Sequence, residues 1–195
     1  MEIYSEGLEL LKDGVVLLHF RILSSFLSGI LEDNHRVLDI NSHGGYLREM
    51  IDILCPHDID YIGVDEDVKH VVSAQLKNIN GSFRHVEYDE MKLRTKSYDL
   101  IIAQNQFLSG GNLIGKMDNL FRASRKWIIL FNFLVLQECD GSMKFEIDGK
   151  QEEIYGVSYL REMFGIMEPT QLEYSYIVKT ENPLKPTPSI FVIRI

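Results

Sequence analysis

The chain has 195 residues, of which 45% are hydrophobic and 25% charged, enough for one domain to bury a sizeable core without disulfides or a structural metal. A formal net charge of −9 weighs against a nucleic-acid partner, which draws on clustered Lys and Arg. The two cysteines, Cys55 and Cys139, are far apart and form no C-x-x-C pattern, as expected of a reduced, cytoplasmic protein.

In chain order, the first apolar stretch runs from Val15 to Ile30, broken by His19, Arg21, Ser24, Ser25, Ser28 and Gly29. It is too short and too interrupted to span a membrane, and it is expected to be a helix packed on a sheet. Glu2, Glu6 and Glu9 ahead of it have the wrong sign for the leading segment of a signal peptide. Val37-Leu38-Asp39-Ile40 then gives a short strand, ended by the small, polar loop Asn41-Ser42-His43-Gly44-Gly45. Tyr46, Leu47, Met50, Ile51 and Leu54 repeat at helical spacing until Pro56. Tyr61-Ile62-Gly63-Val64 is a second strand, ended by Asp65-Glu66-Asp67. Val68, Val71, Val72, Leu76 and Ile79 continue at helical spacing to Asn80-Gly81.

The unit then recurs more loosely. Phe83 to Val86 is a weak strand, Leu100 to Ala103 a strong one, and Trp127 to Phe133 the longest strand signal, with a helical stripe at Leu113, Ile114, Met117, Leu120 and Phe121. Strands that are apolar on both faces and alternate with amphipathic helices predict an α/β doubly wound, mostly parallel sheet with helices on both faces. The last third differs. Met143, Phe145 and Ile147 alternate up to Asp148-Gly149, predicting a hairpin. A helix is expected from Ser158 to Met167. Two strands, Leu172–Lys179 and Ser189–Ile195, are joined by a loop holding Pro183, Pro186 and Pro188. With no helix between them they are expected to pair antiparallel, completing a seven-stranded sheet.

Ligands of doubly wound sheets sit at the carboxyl ends of the strands, and every loop signal falls at such an end. Asp39 to Gly45 is the first. Asp65, twenty positions after Gly45, is placed where an acid at the end of a second strand accepts two hydrogen bonds from ribose hydroxyls. Tyr88-Asp89-Glu90 follows the third strand and Gln104-Asn105-Gln106 the fourth.

This ordered set resembles the class I S-adenosylmethionine-dependent methyltransferases over about Val37 to Phe133. Val37 to Gly45 looks like their first motif, and Tyr61 to Asp65 is similar to the second. Phe83 to Asp89 looks like the third, and Tyr98-Asp99-Leu100-Ile101-Ile102 matches the fourth. The first loop departs from the family's Gly-x-Gly-x-Gly, with Asn41 and His43 at the first two glycine positions, Gly45 at the third and Gly44 beside it. The resemblance implies S-adenosylmethionine as cofactor, bound by Asp39, Asn41, Ser42, Gly44, Gly45, Asp65, Glu66, Asp89, Glu90, Gln104 and Asn105. It implies Asp65 as the ribose ligand and Asp89 beside the adenine amino group. A base is needed only if the acceptor loses a proton; His43 is the candidate catalytic residue, with Asn105 and Glu66 near enough to be considered.

The implied organisation is a single domain with a helical cap (1–34), a cofactor-binding core (35–136), a hairpin insertion (137–157) and a C-terminal helix with antiparallel strands (158–195). Partners follow as a small-molecule acceptor, no nucleic acid and no membrane, with a monomer or homodimer.

Each singled-out residue also has a structural role open to it. Asp39 caps a loop or helix start, Asp65 is the N-cap of the helix near Val68, and Asp89 is a solvated loop acid. The six histidines show no ligand spacing, so no metal is expected. A nicotinamide-binding protein of the same fold would carry G-x-G-x-x-G in the first loop, and that pattern is absent, as are the P-loop and the G-x-S-x-G elbow. The altered glycine loop leaves a second function open, a catalytically inactive S-adenosylmethionine-binding or assembly module of the same fold.

Overall fold

A computed structural model of the chain describes residues 18–77, 79–104, 112–147, 149–166, 171–177 and 182–195. The chain divides between Lys92 and Leu93 into two compact units.

The first unit contains α1 (Leu18–Ile30), β1 (Arg36–Ile40), α2 (Tyr46–Leu54), β2 (Asp60–Asp65), α3 (Val68–Leu76) and β3 (Ser82–His85). Short 3-10 turns at His43–Gly45 and Tyr88–Glu90 follow β1 and β3. The strands are parallel in the order β3-β2-β1, with Leu38 opposite Ile62 and Ile62 opposite Ser82. Val37, Leu38, Ile40, Tyr61, Ile62 and Val64 are all buried, as strands covered on both faces must be. Phe20, Leu23 and Leu27 of α1 meet Leu47, Met50 and Ile51 of α2 around a small apolar cleft. Within α3 only Val71 and Ala74 are buried. Val68, Val72 and Leu76, part of the predicted stripe, are exposed. The helix also stops at Leu76, three residues short of Ile79, whose side chain instead packs against the backbone of Gly45.

One buried cation went unanticipated. Arg48, 1% exposed, donates from Nε to the Asn80 carbonyl at 3.0 Å and pairs through Nη2 with Asp52 at 2.9 Å. Its guanidinium also lies 5.7 Å from the Tyr61 ring centre, close enough for a cation–π contact. A helical stripe reads as apolar only by residue type, and Arg48 lies among apolar neighbours with two of its three nitrogens paired, Nε with the Asn80 carbonyl and Nη2 with Asp52.

The second unit contains β4 (Tyr98–Gln104), α4 (Leu113–Ala123), β5 (Ser124–Leu136), β6 (Ser142–Ile147), β7 (Lys150–Gly156), α5 (Val157–Ile166), β8 (Gln171–Ile177) and β9 (Thr187–Arg194). The 13-residue β5 is its axis. It pairs parallel with β4, antiparallel with β9, and, at Val135 and Leu136, parallel with β7. Asn132 takes the left-handed conformation at φ +52° where the β5–β9 register shifts between Phe131 and Phe133. The extra residue bends the strand and increases its twist. Strands β6 and β7 form the predicted hairpin, and β8 pairs antiparallel with β9 as expected. Among the described residues, the two units hold the seven predicted strands and the two of the hairpin. Helix α4 opens on Asn112, whose Oδ1 accepts from the Gly115 N–H, satisfying one of the unpaired donors of a helix start. No helix among the described residues is long and apolar enough to cross a membrane.

Candidate functional site

The first loop is built from left-handed residues. Asn41 (φ +69°), His43 (φ +46°), Gly44 (φ +74°) and Gly45 (φ +80°) all have positive φ, with only Ser42 right-handed between them. Asparagine tolerates this geometry; histidine adopts it at a cost of about 1–2 kcal/mol. The loop is therefore held by other contacts. The N–H groups of Asn41 and Ser42 both reach the Val64 carbonyl, at 2.9 and 3.1 Å. The His43 N–H donates to Asp65 Oδ2 at 2.9 Å. Gly45 is required on steric grounds too, since a Cβ there would lie 2.6 Å from Ile79 Cδ1 and 3.0 Å from Phe83 Cζ.

Asp39, fully buried in β1, accepts a 2.5 Å hydrogen bond from the Tyr61 hydroxyl. Burial, reinforced by the Asp39 carboxylate, raises the Tyr61 pKa well above the ordinary phenol value, so the tyrosine stays a donor. Asp39 is thereby oriented by its neighbouring strand.

Asp65 stands at the end of β2, where its spacing places it. Its carboxylate is 2% exposed and accepts from three internal donors: the His43 N–H, the Asp67 N–H at 2.9 Å and His70 Nδ1 at 3.1 Å. It ties the first loop to the start of α3. The N-cap of α3 is Asp67, which accepts from the Lys69 N–H at 2.8 Å. The neighbouring Glu66 is exposed at the end of β2, and its Oε1 accepts from the Tyr88 N–H at 2.8 Å. Asp89 and Glu90 stand exposed in the turn that Tyr88 opens. The structure thus brings Asp39, Asn41, Ser42, His43, Gly44, Gly45, Asp65 and Glu66 together at the carboxyl ends of β1 and β2. Gln104, in the second unit, is buried at the end of β4; Asn105 lies outside the described residues.

The loop's polar atoms include two that carry no hydrogen bond among the described residues: Asn41 Nδ2 and Ser42 Oγ, both buried. Buried donors of this kind are costly unless a ligand or water meets them. His43 is 8% exposed. Burial pulls its pKa down to about 4, against an opposing pull from Asp65. Its ring is consequently neutral and weakly basic near pH 7, which disfavours it as a proton acceptor. Cys55 is buried and its thiol is pushed up to about 11 by burial, so it is not a thiolate nucleophile.

No family model matches the sequence, and no curated protein matches it. Solved structures do. An S-adenosylmethionine-dependent methyltransferase from Mesorhizobium loti superposes with a TM-score of 0.67 at 12% identity, covering 88% of this chain and 96% of that one. The cyclase SpnF superposes with a TM-score of 0.67 at 11% identity, covering 89% and 80%. A putative sarcosine dimethylglycine methyltransferase from Galdieria sulphuraria superposes with a TM-score of 0.65 at 12% identity, covering 90% and 84%. The fold is that of the S-adenosylmethionine-dependent methyltransferases. In the methyltransferase fold the carboxyl ends of the parallel strands are the ligand edge, which is where the left-handed loop, Asp65 and Glu66 lie here.

Two features of this edge were beyond sequence reasoning. The buried pairing of Asp39 with Tyr61 needs the register of β1 on β2. The approach of His70 to Asp65 and His43 needs the turn before α3, which no sequence spacing announces.

Proposed function

We propose that this chain binds S-adenosylmethionine at the Asn41–Gly45 loop and transfers its methyl group to a small-molecule acceptor. The observation that carries the reading is the backbone of that loop. Asn41 and His43 stand where the resembling family has glycines, and both take the left-handed conformation that glycine exists to provide. The loop keeps the glycine shape after losing two of the glycines. The orphaned Asn41 amide and Ser42 hydroxyl fit a ligand with polar groups at this edge.

In this reading S-adenosylmethionine, when bound, supplies the activated methyl group, so the chain need contribute only binding, orientation and exclusion of water. Asn41 and Ser42 hold the polar end of the cofactor through side-chain donors. Gly44 and Gly45 let the backbone come close. Glu66, exposed beside Asp65, accepts from the ribose hydroxyls, while Asp65 acts one step back by fixing the His43 N–H and hence the loop. Asp89 and Glu90 lie at the adenine side. His43 serves loop geometry rather than proton transfer, which confines the acceptor to nucleophiles that need no strong base from this position.

A second reading, a catalytically inactive S-adenosylmethionine-binding or assembly module of the same fold, is favoured by one observation: the Asp65 carboxylate is enclosed and already accepts from three protein donors. The cyclase SpnF also shows that this fold serves chemistry other than methyl transfer. Calorimetric titration of the full chain with S-adenosylmethionine and S-adenosylhomocysteine tests cofactor binding, and transfer of the labelled methyl group to acceptors separates an enzyme from an inactive module that binds the cofactor. Micromolar binding, weakened about tenfold by the Glu66→Gln change as loss of a charged hydrogen bond requires, together with methyl transfer supports the first. Absence of heat with both ligands overturns it in favour of the second.

A further inference from the structure

His43, Asp65 and His70 converge from three different elements, the first loop, the end of β2 and the first turn of α3. One donor atom from each lies within 4.8 Å of the other two. The imidazole rings of His43 and His70 are 5.4 Å apart at a tilt of 59°, and His70 Nδ1 already lies 3.1 Å from Asp65 Oδ1. Two imidazoles and one carboxylate are a donor set that divalent first-row transition ions take up readily.

We propose that His43, Asp65 and His70 form a binding site for a divalent transition metal ion of the zinc class.

Bonds of about 2.0–2.2 Å in tetrahedral geometry place ligand atoms roughly 3.3 Å apart. The cluster therefore needs a contraction of about 1.5 Å at most, within reach of rotation about the side-chain bonds of His43 and His70. A supporting partner is in place as well. His70 Nε2 is buried without a hydrogen bond among the described residues, yet Asp67 Oδ2 stands 3.9 Å from it. A carboxylate behind the outer nitrogen is the arrangement that orients metal-bound histidines. Asp65 is itself held by the N–H groups of His43 and Asp67, which fixes the carboxylate before any ion arrives. Three protein ligands leave a fourth position for water or another small ligand.

The hydrogen bond from His70 to Asp65 offers a plainer account, in which the three residues only brace the loop. The two accounts part on metal binding. The site rests on no part of the cofactor reading, and its test uses no cofactor, so either can fail alone.

The full chain, stripped with chelator, is titrated with cobalt(II) and followed by visible absorption, and with zinc(II) followed by calorimetry and thermal melting. The proposal expects intense d–d bands at one cobalt per chain, displaced by zinc, and a rise in melting temperature with zinc. It expects His70→Ala and His43→Asn to weaken zinc binding by at least about tenfold, the scale on which ligand-shell losses act. His43→Asn keeps a residue that tolerates positive φ, and far-ultraviolet circular dichroism checks that each variant folds. The half-buried His57 and exposed His85, paired with Asp33 and Glu87 outside the cluster, serve as controls whose alanine variants bind normally. Absence of cobalt bands in the unsubstituted chain overturns the proposal, whatever the variants do. Zinc affinity unchanged by His70→Ala overturns it as well, by sending the ion elsewhere.

Discussion

Replacing Gly45 with alanine tests whether the first loop is shaped as described, because two separable costs meet there. At φ +80° a side chain forces a left-handed residue, a cost of about 1–2 kcal/mol. The new Cβ would also stand 2.6 Å from Ile79 Cδ1, 3.0 Å from Phe83 Cζ and 3.2 Å from Phe83 Cε1, and overpacking of this kind costs about 1–3 kcal/mol more. The sum is about 2–5 kcal/mol, a large part of the stability of an ordinary domain. Gly44→Ala is the internal control. Its φ of +74° carries the same conformational cost, but its nearest neighbour, the His70 carbonyl oxygen, would be 3.6 Å from the Cβ. Urea unfolding of both variants, compared at unchanged m-value, should place Gly45→Ala about 1–3 kcal/mol below Gly44→Ala. Equal losses would refute the close packing of Ile79 and Phe83 on Gly45, and with it the account of why this position is glycine.

Other expectations follow from the same unit. Tyr61→Phe removes the hydroxyl donor to the buried Asp39 carboxylate and should cost about 1–3 kcal/mol, read as a lower urea midpoint. Asp67→Ala removes the N-cap of α3 and should cost about 1 kcal/mol, with Asp67→Asn nearly restoring it. His43 is held at about 4 against an ordinary 6.5, so between those values the unfolded chain binds the extra proton. Stability present above pH 6.5 is then lost as the pH falls towards 4, by up to about 3 kcal/mol. Urea midpoints between pH 7 and 4.5 should flatten in His43→Asn, and an unchanged slope would show that His43 is not buried neutral.

Strand identity was legible in the sequence wherever burial on both faces made runs such as Val37–Ile40 and Leu100–Ala103 continuously apolar. The two-residue turn signal at Asp148-Gly149 and the helix-free gap between the last strands gave the antiparallel pairs in the same way. Helix faces were read less well. Val68, Val72 and Leu76 fit a 3.6-residue period yet face outward, because periodicity marks a stripe without saying what covers it. At the site, the loop and the acids at the strand ends were visible as residue types at spacing. Their roles were not, since the sequence offers Asp65 a ribose or a helix cap, whereas the contacts that join its carboxylate to both the first loop and α3 need the folded chain. Arg48 was invisible for a related reason: only three-dimensional pairing with Asp52 and the Asn80 carbonyl makes a buried arginine tolerable.

The position of β9 has a consequence for how the second unit is assembled. This strand lies between β5 and β8, and the Ser189 hydroxyl reaches the Phe133 carbonyl across 56 residues of sequence. Neither β5 on that side nor β8 has a backbone partner until β9 arrives. A chain emerging from the ribosome therefore holds the apolar edge of β5 open while some fifty residues are added, about 3–10 s at ordinary elongation rates. Such an edge is a template for pairing with other chains. Truncations that remove β9 should aggregate rather than unfold cleanly, which makes this strand the kinetic gatekeeper of the unit.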